Sequence, residues 1–230
     1  MPERIAAIFA HPDDEVLGCG AALARHAAEG SKVHILILAT GLAARGAAAQ
    51  EQLEALRNDA ERAAAALGAA SVSFGEFPDN AMDSVPLLEV VRRVEAFLAE
   101  CAPRRVYTHH VGDLNVDHGV THRAVVTACR PMVGAVVREI LSCEVNSSTE
   151  WTPPGSLPAF LPTEFMDVSA SLAAKLAALA CYAGELRDWP HPRSLEGVVA
   201  LAKWRGSQAG FQAAEAFVTV RRLVGPVGAP

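Results

Sequence analysis

Short apolar runs alternate with longer amphipathic segments through residues 1–145 of the chain. An apolar run without polar alternation is typical of a buried strand, whereas apolar positions spaced three and four residues apart indicate a helix. These patterns predict strands at residues 4–10, 33–39, 71–74, 105–109 and 137–144. They predict helices at residues 18–29, 48–67, 87–100 and 118–129. Such alternation predicts an α/β fold, with a Rossmann-like three-layer α/β/α arrangement around a mostly parallel sheet.

The pattern changes after residue 145, where a polar, proline-rich segment at residues 147–155 predicts a loop that is mobile or covers the site. Three further elements are predicted: a strand at residues 165–168, a helix at residues 169–186 with Ser169 as its N-cap, and a helix at residues 194–205. No segment is poor enough in apolar residues to mark a domain boundary. We therefore predict one domain over residues 1–230, with a core sheet in residues 1–145 and a C-terminal helical elaboration in residues 146–230.

The composition excludes several classes of protein. Hydrophobic residues make up 51% of the chain, charged residues 20%, and the formal charge of -6 comes with scattered basic residues, so no nucleic-acid partner is expected. No apolar segment reaches the roughly 18 residues that span a bilayer, and the first residues lack a signal-peptide layout. Five widely spaced cysteines without a Cys-x-x-Cys pair indicate reduced thiols. We expect a cytoplasmic protein with a small-molecule substrate, and a homo-oligomer is compatible with the sequence.

Residues 10–15 read Ala-His-Pro-Asp-Asp-Glu and directly follow the first predicted strand. Three carboxylates this close repel one another, and a bound cation would offset that repulsion. With Pro12 in the turn, His11 and Asp14 can direct an imidazole nitrogen and a carboxylate oxygen toward one ion, which leaves Asp13 beside it as a candidate base. Proline and acidic residues also favour a helix start, but that alternative does not explain the histidine. The motif therefore predicts a metal site.

The ends of the other predicted strands carry the same kind of residue. In a parallel sheet, ligands bind in the crevice beyond the carboxyl ends of the strands. Polar or ionisable residues follow each of the first four predicted strands, at residues 11–15, 40–41, 78–80 and 110–118. This agreement predicts one site at that edge of the sheet.

Four histidines near the fourth predicted strand are candidates for a third ligand. His118 is the best candidate because it starts the next predicted helix beside Asp117, and His122, one helical turn later, is the alternative. His109 and His110 are adjacent in the strand and point to opposite faces, so at most one of them can serve. Two imidazoles and one carboxylate are typical of catalytic Zn²⁺, which activates water and polarises a carbonyl, and Fe²⁺ is the alternative metal.

The first motif, together with Asn-Val-Asp-His at residues 115–118, resembles the PIG-L/LmbE-like family of zinc-dependent N-deacetylases. Members of that family remove acyl groups from N-acetylated amino sugars and their conjugates, and the resemblance covers roughly residues 4–145. It implies metal ligation by His11, Asp14 and His118, general-base catalysis by Asp13, support of a ligand by Asp117, and a pocket-facing position for Arg57. The alternative for Arg57 is a solvated charge on a helix.

Asn115 departs from the family pattern, because many relatives have histidine at this place to steady an oxyanion or to protonate the leaving amine. An asparagine can donate a hydrogen bond to an oxyanion but cannot supply a proton. Either Asp13 returns the proton, or another acid such as His110 or His191 supplies it, or the substrate is unusual or the activity weak.

Residues 191–194 read His-Pro-Arg-Ser and form the most polar cluster of the C-terminal part. His191 and Arg193 are therefore candidate substrate-binding residues, since an Arg-Ser pair that opens a helix can bind the phosphate of a nucleotide-sugar. The alternative, which we favour slightly, is a proline-rich turn in which Ser194 caps the next helix.

The predicted function is metal-dependent hydrolysis of an N-acetyl or other N-acyl group from an amino sugar or its conjugate, with nucleotide-sugars among the candidates. Two alternatives come from other classes of protein. A dinucleotide-dependent oxidoreductase is disfavoured, because the acids after the first strand would repel a pyrophosphate. A non-hydrolytic metal- or sugar-binding protein of the same fold is the other alternative, and Asn115 is its one indication.

Overall fold

The computed structural model describes residues 2–39 and 50–225. Its strands are β1 (Arg4–Phe9), β2 (Lys32–Ala39), β3 (Ser71–Phe77), β4 (Arg105–His109), β5 (Glu139–Cys143), β6 (Glu164–Asp167) and β7 (Ala214–Arg222). Its helices are α1 (Asp14–Ala28), α2 (Gln50–Ala66), α3 (Leu87–Cys101), α4 (Val116–Ala128), α5 (Leu172–Cys181) and α6 (Leu195–Ala209). The predicted start of the second helix at Ala48, and the predicted polar strand end at residues 40–41, lie outside the described residues.

The strands form one sheet in the order β3-β2-β1-β4-β5-β7-β6. Strands β1 to β5 are parallel to one another, whereas β7 is antiparallel to both β5 and β6. The predicted Rossmann-like fold with a mostly parallel sheet is confirmed. Strand β1 pairs directly with β4, so the carboxyl ends of the two strands lie side by side, which is where the two sequence motifs lie.

Strand β7 is absent from the sequence prediction. Its sequence Ala-Glu-Ala-Phe-Val-Thr-Val-Arg-Arg has charged residues at the second and the last two positions, so it lacks the continuous apolar run of β1. The described residues 146–225 therefore add two strands to the sheet besides their two helices. This part of the chain is more than the helical elaboration that its sequence predicts.

The prediction of Ser169 as an N-cap is wrong. The residue that precedes α5 is Ser171, and the Ser169 hydroxyl instead donates to Asp167 Oδ1 at 2.5 Å. The prediction for Ser194 is correct, because its hydroxyl accepts a hydrogen bond of 2.9 Å from Gly197 N at the start of α6. The hydroxyl of a serine before an apolar run can form a hydrogen bond with a neighbouring side chain or with a backbone amide of the helix. The sequence does not distinguish these two possibilities.

The side chains of β1 show how helices cover both faces of the sheet. Ile5 and Phe9 face a core built with α1, α2, α5 and α6, while Ile8 faces a second core built with α3 and α4. All three side chains are fully buried. This alternation along a strand with both faces buried produces the three layers. None of the described helices is long and apolar enough to cross a membrane.

Candidate active site

The first motif lies where β1 passes into α1. Helix α1 starts at Asp14, and Asp13 before it has a left-handed backbone with φ of 102°. This conformation costs a residue other than glycine roughly 1–3 kcal/mol, so the surrounding structure must hold it in place. The Asp14 carboxylate turns back to accept a hydrogen bond of 2.8 Å from His11 N. The acidic residues therefore start a helix, as the alternative interpretation expects, and also face the candidate site.

His11, Asp14 and His118 bring three donor atoms together. Asp14 Oδ2 lies 3.1 Å from His11 Nδ1 and 3.2 Å from His118 Nε2, and the two imidazole nitrogens are 3.3 Å apart. Atoms bound to one tetrahedral Zn²⁺ at its usual bond lengths lie roughly 3.3 Å apart. The three residues predicted as ligands therefore present a donor set that fits such an ion, although they come from two distant parts of the sequence.

Each imidazole uses its other nitrogen to contact a carboxylate. His118 Nδ1 lies 3.0 Å from Asp113 Oδ1, and His11 Nε2 lies 3.0 Å from Asp117 Oδ2 and 3.1 Å from Asp79 Oδ1. Carboxylates in this position fix the tautomer and the orientation of a ligating histidine. The structure thus brings Asp117 to the site as predicted, and adds Asp79 and Asp113.

Backbone and hydroxyl groups hold these supporting carboxylates. The two oxygens of Asp117 accept hydrogen bonds from Asn80 N at 2.6 Å and from Met82 N at 2.9 Å. Asp113 accepts from the hydroxyl of Thr149 at 2.6 Å and from that of Ser148. Asp79 and Asp113 both follow strand ends, and this position is the feature of the sequence that could have indicated them as site residues. Neither residue stands in a recognisable motif.

The carboxylates of this cluster favour positive charge on the two imidazoles. Burial lowers the pKa of His11, but its hydrogen bonds to Asp117 and Asp14 outweigh burial and raise the pKa to about 10. Burial also opposes charge on His118, yet Asp14 and Asp113 raise its pKa to about 9. The carboxylates therefore hold protons on both imidazoles when no other cation is near. A metal ion that binds here must displace those protons, which makes its affinity dependent on pH.

Asp13 lies beside the donor set and is held from two directions. Its Oδ2 atom is 3.3 Å from Arg193 Nη1, and its backbone N–H donates to Glu15 Oε2 at 3.1 Å. The other oxygen of Glu15 accepts a hydrogen bond of 2.7 Å from the Tyr182 hydroxyl. Burial and the neighbouring charge of Asp14 raise the pKa of Asp13 well above its usual value. A carboxylate with a raised pKa is a better proton acceptor, which suits a general base.

A cavity of about 350 Å³ opens over these residues. Besides the site residues it is lined by the apolar side chains of Leu17, Leu56 and Val145 and by a larger set of polar ones, namely Asn80, Asn115, Asn146, Ser147, Ser148, Glu185 and Arg193. Arg193 is the one guanidinium among the described lining residues, and it already contacts Asp13 and Glu185. The cavity is therefore polar and mainly acidic within the part of the chain that is described.

The family profile described as PIG-L, GlcNAc-PI de-N-acetylase, matches residues 6–129, which include both motifs. The chain belongs to this family. The uncharacterized deacetylase YaiS of Escherichia coli is 32% identical over 181 residues, which cover 76% of this chain and 88% of that protein. The 1D-myo-inositol 2-acetamido-2-deoxy-alpha-D-glucopyranoside deacetylase of Rhodococcus opacus is 30% identical over 219 residues, covering 85% of this chain and 72% of its own length.

The similarity extends to a protein with a different reaction and to a solved structure. The 4-oxalmesaconate hydratase of Pseudomonas putida is 30% identical over 217 residues, which cover 83% of this chain and 77% of that protein. The crystal structure of a conserved protein of Thermus thermophilus superposes with a TM-score of 0.76 at 26% identity and covers 99% of both chains. The superposition thus extends beyond residues 6–129, which the family profile matches, into the C-terminal part of the chain.

Asn115 lies in the cavity wall of this PIG-L family protein as the N-cap of α4. Its side-chain oxygen accepts a hydrogen bond of 2.8 Å from Asp117 N, and its Nδ2 atom donates to Asn80 Oδ1 at 3.0 Å. An amide nitrogen carries two protons, so one N–H remains for a substrate oxygen. The geometry is compatible with a hydrogen-bond donor at this position.

The histidines weighed against His118 have other partners. His122 Nδ1 donates to His109 O at 2.9 Å, and His110 Nε2 lies 3.1 Å from Pro158 O. His109 stacks on His118 at 3.7 Å between ring centroids, and its Nε2 atom accepts a hydrogen bond from Ala10 N at 2.8 Å. His109 therefore packs behind the donor set, while His110 and His122 do not line the cavity.

Two of the predicted substrate-binding residues also lie outside the cavity lining. Arg57 Nη2 donates to Glu76 Oε1 at 2.7 Å, and its guanidinium lies 5.2 Å above the centre of the Phe74 ring. His191 meets the Trp151 ring edge to face at 5.7 Å. Of the three predicted substrate-binding residues, Arg193 is the one that the structure brings to the cavity.

Proposed function

We propose that this protein is a metal-dependent N-deacetylase that hydrolyses the N-acyl amide of an amino sugar or an amino-sugar conjugate. The observation that carries the proposal is the convergence of His11, Asp14 and His118 beside Asp13 in a polar cavity. Zn²⁺ held by these three residues, or Fe²⁺ as the alternative, supplies Lewis acidity for a carbonyl oxygen and for water. Deacetylases among the relatives support the same reaction class.

Asp13 performs the proton transfers in this mechanism. Its carboxylate takes a proton from the attacking water, and its raised pKa makes it a competent acceptor. We propose that Asp13 then returns this proton to the leaving amine, because neither His110 nor His191 lines the cavity. Asn115 donates a hydrogen bond to the oxyanion that develops on the former carbonyl. Arg193 holds the Asp13 carboxylate in place between these two steps.

We propose a neutral amino-sugar conjugate, rather than a nucleotide-sugar, as the substrate. The described cavity wall contains Asp13, Asp14, Asp79 and Glu185, which repel phosphate groups. Arg193 is engaged by two carboxylates, and the Ser194 hydroxyl caps α6, so the pair predicted to bind phosphate is used within the fold. A cavity of about 350 Å³ lies at the lower end of the range of small-molecule pockets, which suits one sugar ring.

A second candidate function is hydration of a carbon–carbon double bond. The relative from Pseudomonas putida is a hydratase, and this reaction has no leaving amine to protonate. Hydration still places a proton on the second carbon, and Asp13 can supply the proton that it takes from the water. Both reactions need a base such as Asp13 to activate water, so the site alone supports either. Retention of a dinucleotide is not expected, because Asp13 and Asp14 occupy the turn that would have to receive the pyrophosphate.

The deciding experiment measures two products on protein loaded with zinc. Primary-amine release is followed from neutral N-acetylglucosamine conjugates and from nucleotide-linked N-acetylglucosamine, and loss of ultraviolet absorbance is followed with conjugated dicarboxylic acids. We expect amine release from the neutral conjugates, abolished by a chelator and restored by zinc. Loss of absorbance without amine release would establish the hydratase instead. If zinc is retained and neither product forms, the non-hydrolytic binding function is favoured.

We also propose that the protein is cytoplasmic. Its five cysteines are free thiols, and four of them are buried. Free thiols are typical of a reducing compartment. Assembly into a homo-oligomer stays a prediction from the sequence, and gel filtration with light scattering measures it.

A further inference from the structure

Helix α1 is interrupted directly behind the candidate site. Cys19 has non-helical backbone angles, with φ of -150° and ψ of 18°. The neighbouring Gly18 packs so closely that a Cβ atom there would lie 3.1 Å from the Cys143 side chain. The interruption separates residues 14–18, which include the candidate ligand Asp14, from the remainder of the helix.

A buried ion pair occupies the gap in the helix. In an uninterrupted α-helix, the Leu17 carbonyl accepts a hydrogen bond from Ala21 N. Here Lys175 Nζ donates to Leu17 O at 2.7 Å, while Ala21 N donates to Glu215 Oε1 at 3.1 Å. Lys175 Nζ and Glu215 Oε1 are themselves 2.6 Å apart. The ion pair therefore stands between the two backbone groups that would otherwise bond directly.

Stability does not account for this arrangement. Lys175 is 3% exposed and Glu215 is 5% exposed, so both charges have left water. Burial of two ions costs several kcal/mol each, and apolar replacements of a buried pair are often as stable or more stable. An uninterrupted α1 would satisfy the same backbone groups without any buried charge. The ion pair must therefore provide something that a regular helix does not.

Helix α5, which carries Lys175, also holds the beginning of the same short segment. Lys175 lies on α5 and Glu215 on β7, both outside the residues 6–129 that the family profile matches. Tyr182, the residue that caps α5, donates to Glu15, and Glu15 in turn accepts from Asp13 N. Helix α5 thus contacts residues 14–18 near both ends. Tyr182 binds Glu15 near the first residue of this segment, and Lys175 binds the Leu17 carbonyl near its last residue.

We propose that Lys175 and Glu215 are positioning residues for the metal site. By holding α1 open at Cys19, they set the direction of residues 14–18 and so keep the Asp14 carboxylate within reach of His11 and His118. This inference rests on the proposed metal site, but it does not depend on the identity of the substrate.

The test is the double variant Lys175→Met with Glu215→Leu, which removes both charges and lets Leu17 O bond to Ala21 N. The zinc affinity of the metal-free protein is measured by competition with a chromophoric chelator, and kcat and KM are measured with saturating zinc. We expect zinc affinity to fall about 10- to 100-fold, because changes in groups that orient ligands have effects of this size. We also expect kcat to fall while KM and the melting temperature change little.

The matched control removes an ion pair from the same helix beyond the interruption. Arg25 Nε and Glu29 Oε1 are 2.8 Å apart on the exposed side of α1. The double variant Arg25→Gln with Glu29→Gln should keep the zinc affinity and kcat of the wild-type protein. A loss of zinc affinity in this control equal to that of the buried pair would overturn the proposal.

Three outcomes separate the possibilities. A folded Lys175→Met, Glu215→Leu variant with wild-type zinc affinity and kcat would show that the pair has only a structural role. If that variant does not fold, Glu215→Asp keeps the charge but shortens the side chain by one methylene group, and unchanged zinc affinity and kcat there overturn the proposal. If the wild-type protein itself binds no zinc, the proposed function fails and the positioning role proposed for Lys175 and Glu215 is overturned with it.

Discussion

Charged side chains collect at both ends of the parallel strands, but they are paired differently at the two ends. We call the side with the amino ends of these strands the amino edge, and the side with their carboxyl ends the carboxyl edge. At the amino edge, Glu139 accepts from Arg105 at 2.5 Å and also from Arg222. Beside them, Arg104 Nε lies 3.1 Å from Glu3 Oε1. Each of these guanidinium groups therefore has a carboxylate partner within the fold, and the network needs no ligand.

The carboxyl edge has a different balance. Asp14, Asp79 and Asp117 surround two imidazoles, and Arg193, the one guanidinium among the described residues that line the cavity, contacts Asp13 instead. Imidazoles are neutral near pH 7 unless their surroundings hold a proton on them. In a carboxylate cluster that is paired with arginines, the negative charge is already compensated. In a cluster that is paired with imidazoles, a metal ion can replace the imidazole protons as the source of positive charge. This difference in the type of cation distinguishes a structural network from a binding site.

The largest expected effect comes from removal of Asp14. Asp14→Ala deletes the oxygen atom that both imidazoles contact, so we expect zinc to be lost. Activity should fall by about 10³-fold or more, since a metal contributes several kcal/mol to a transition state. Metal content after zinc loading and amine release measure the two effects, with circular dichroism as the check on folding. One zinc ion per chain in the variant would contradict the ligand assignment.

Replacement of Asp13 should separate catalysis from metal binding. Asp13→Asn keeps a residue that tolerates the left-handed backbone but removes the base. We expect kcat to fall about 10²- to 10⁴-fold with zinc still bound, which is the usual range for loss of general-base catalysis. Steady-state kinetics on zinc-saturated protein measure the change. A variant that keeps wild-type kcat would transfer the role of base to another group.

A third prediction concerns pH and the amino edge. Burial, assisted by the charge of Arg105, lowers the pKa of His26 to about 4. The unfolded chain takes up a proton near pH 6.5 and the folded protein does not, so the free energy of unfolding decreases as pH falls from about 6.5 toward 4. Between pH 7 and pH 5 this histidine should account for about 1–2 kcal/mol.

Urea unfolding at both pH values tests the contribution of His26. The variant His26→Gln keeps a side chain that can contact the Tyr107 hydroxyl, which lies 2.9 Å from His26 Nε2, but it does not titrate. Its stability should therefore change less with pH than that of the wild-type protein. Equal pH dependence in the two proteins would show that His26 is not the titrating group.

The smallest effect is expected for Arg222 at the amino edge. Its side chain is 51% exposed, and Glu139 keeps its bond to Arg105 when Arg222 is removed. Exposed ion pairs contribute about 0–1 kcal/mol, so Arg222→Ala should change stability by no more than this amount. Zinc affinity and kcat should equal those of the wild-type protein. A clear loss of zinc would mean that the two edges are coupled through β7.

The sequence predicted the fold well where the signal was local and apolar. The runs that became β1 and β2 are largely apolar, which is the pattern of strands covered on both faces, and the predicted helices have regular spacing. Strand β7 has no such pattern, because it carries the buried Glu215 and ends in two arginines. Its place between β5 and β6 depends on pairing with strands distant in sequence, which a local pattern does not record.

The sequence by itself determined the cluster of His11, Asp13 and Asp14, because three residues at the end of one buried strand cannot move far apart. It also narrowed the third ligand to four histidines. Among these His118 was already the best candidate, but only the tertiary structure placed it beside His11, 107 positions away, and only it revealed Asp79 and Asp113. Only the tertiary structure placed the side chains of Lys175 and Glu215 in the interruption of α1. Such contacts depend on how strands and helices cross in three dimensions, whereas spacing along the chain controls only what lies within a few residues.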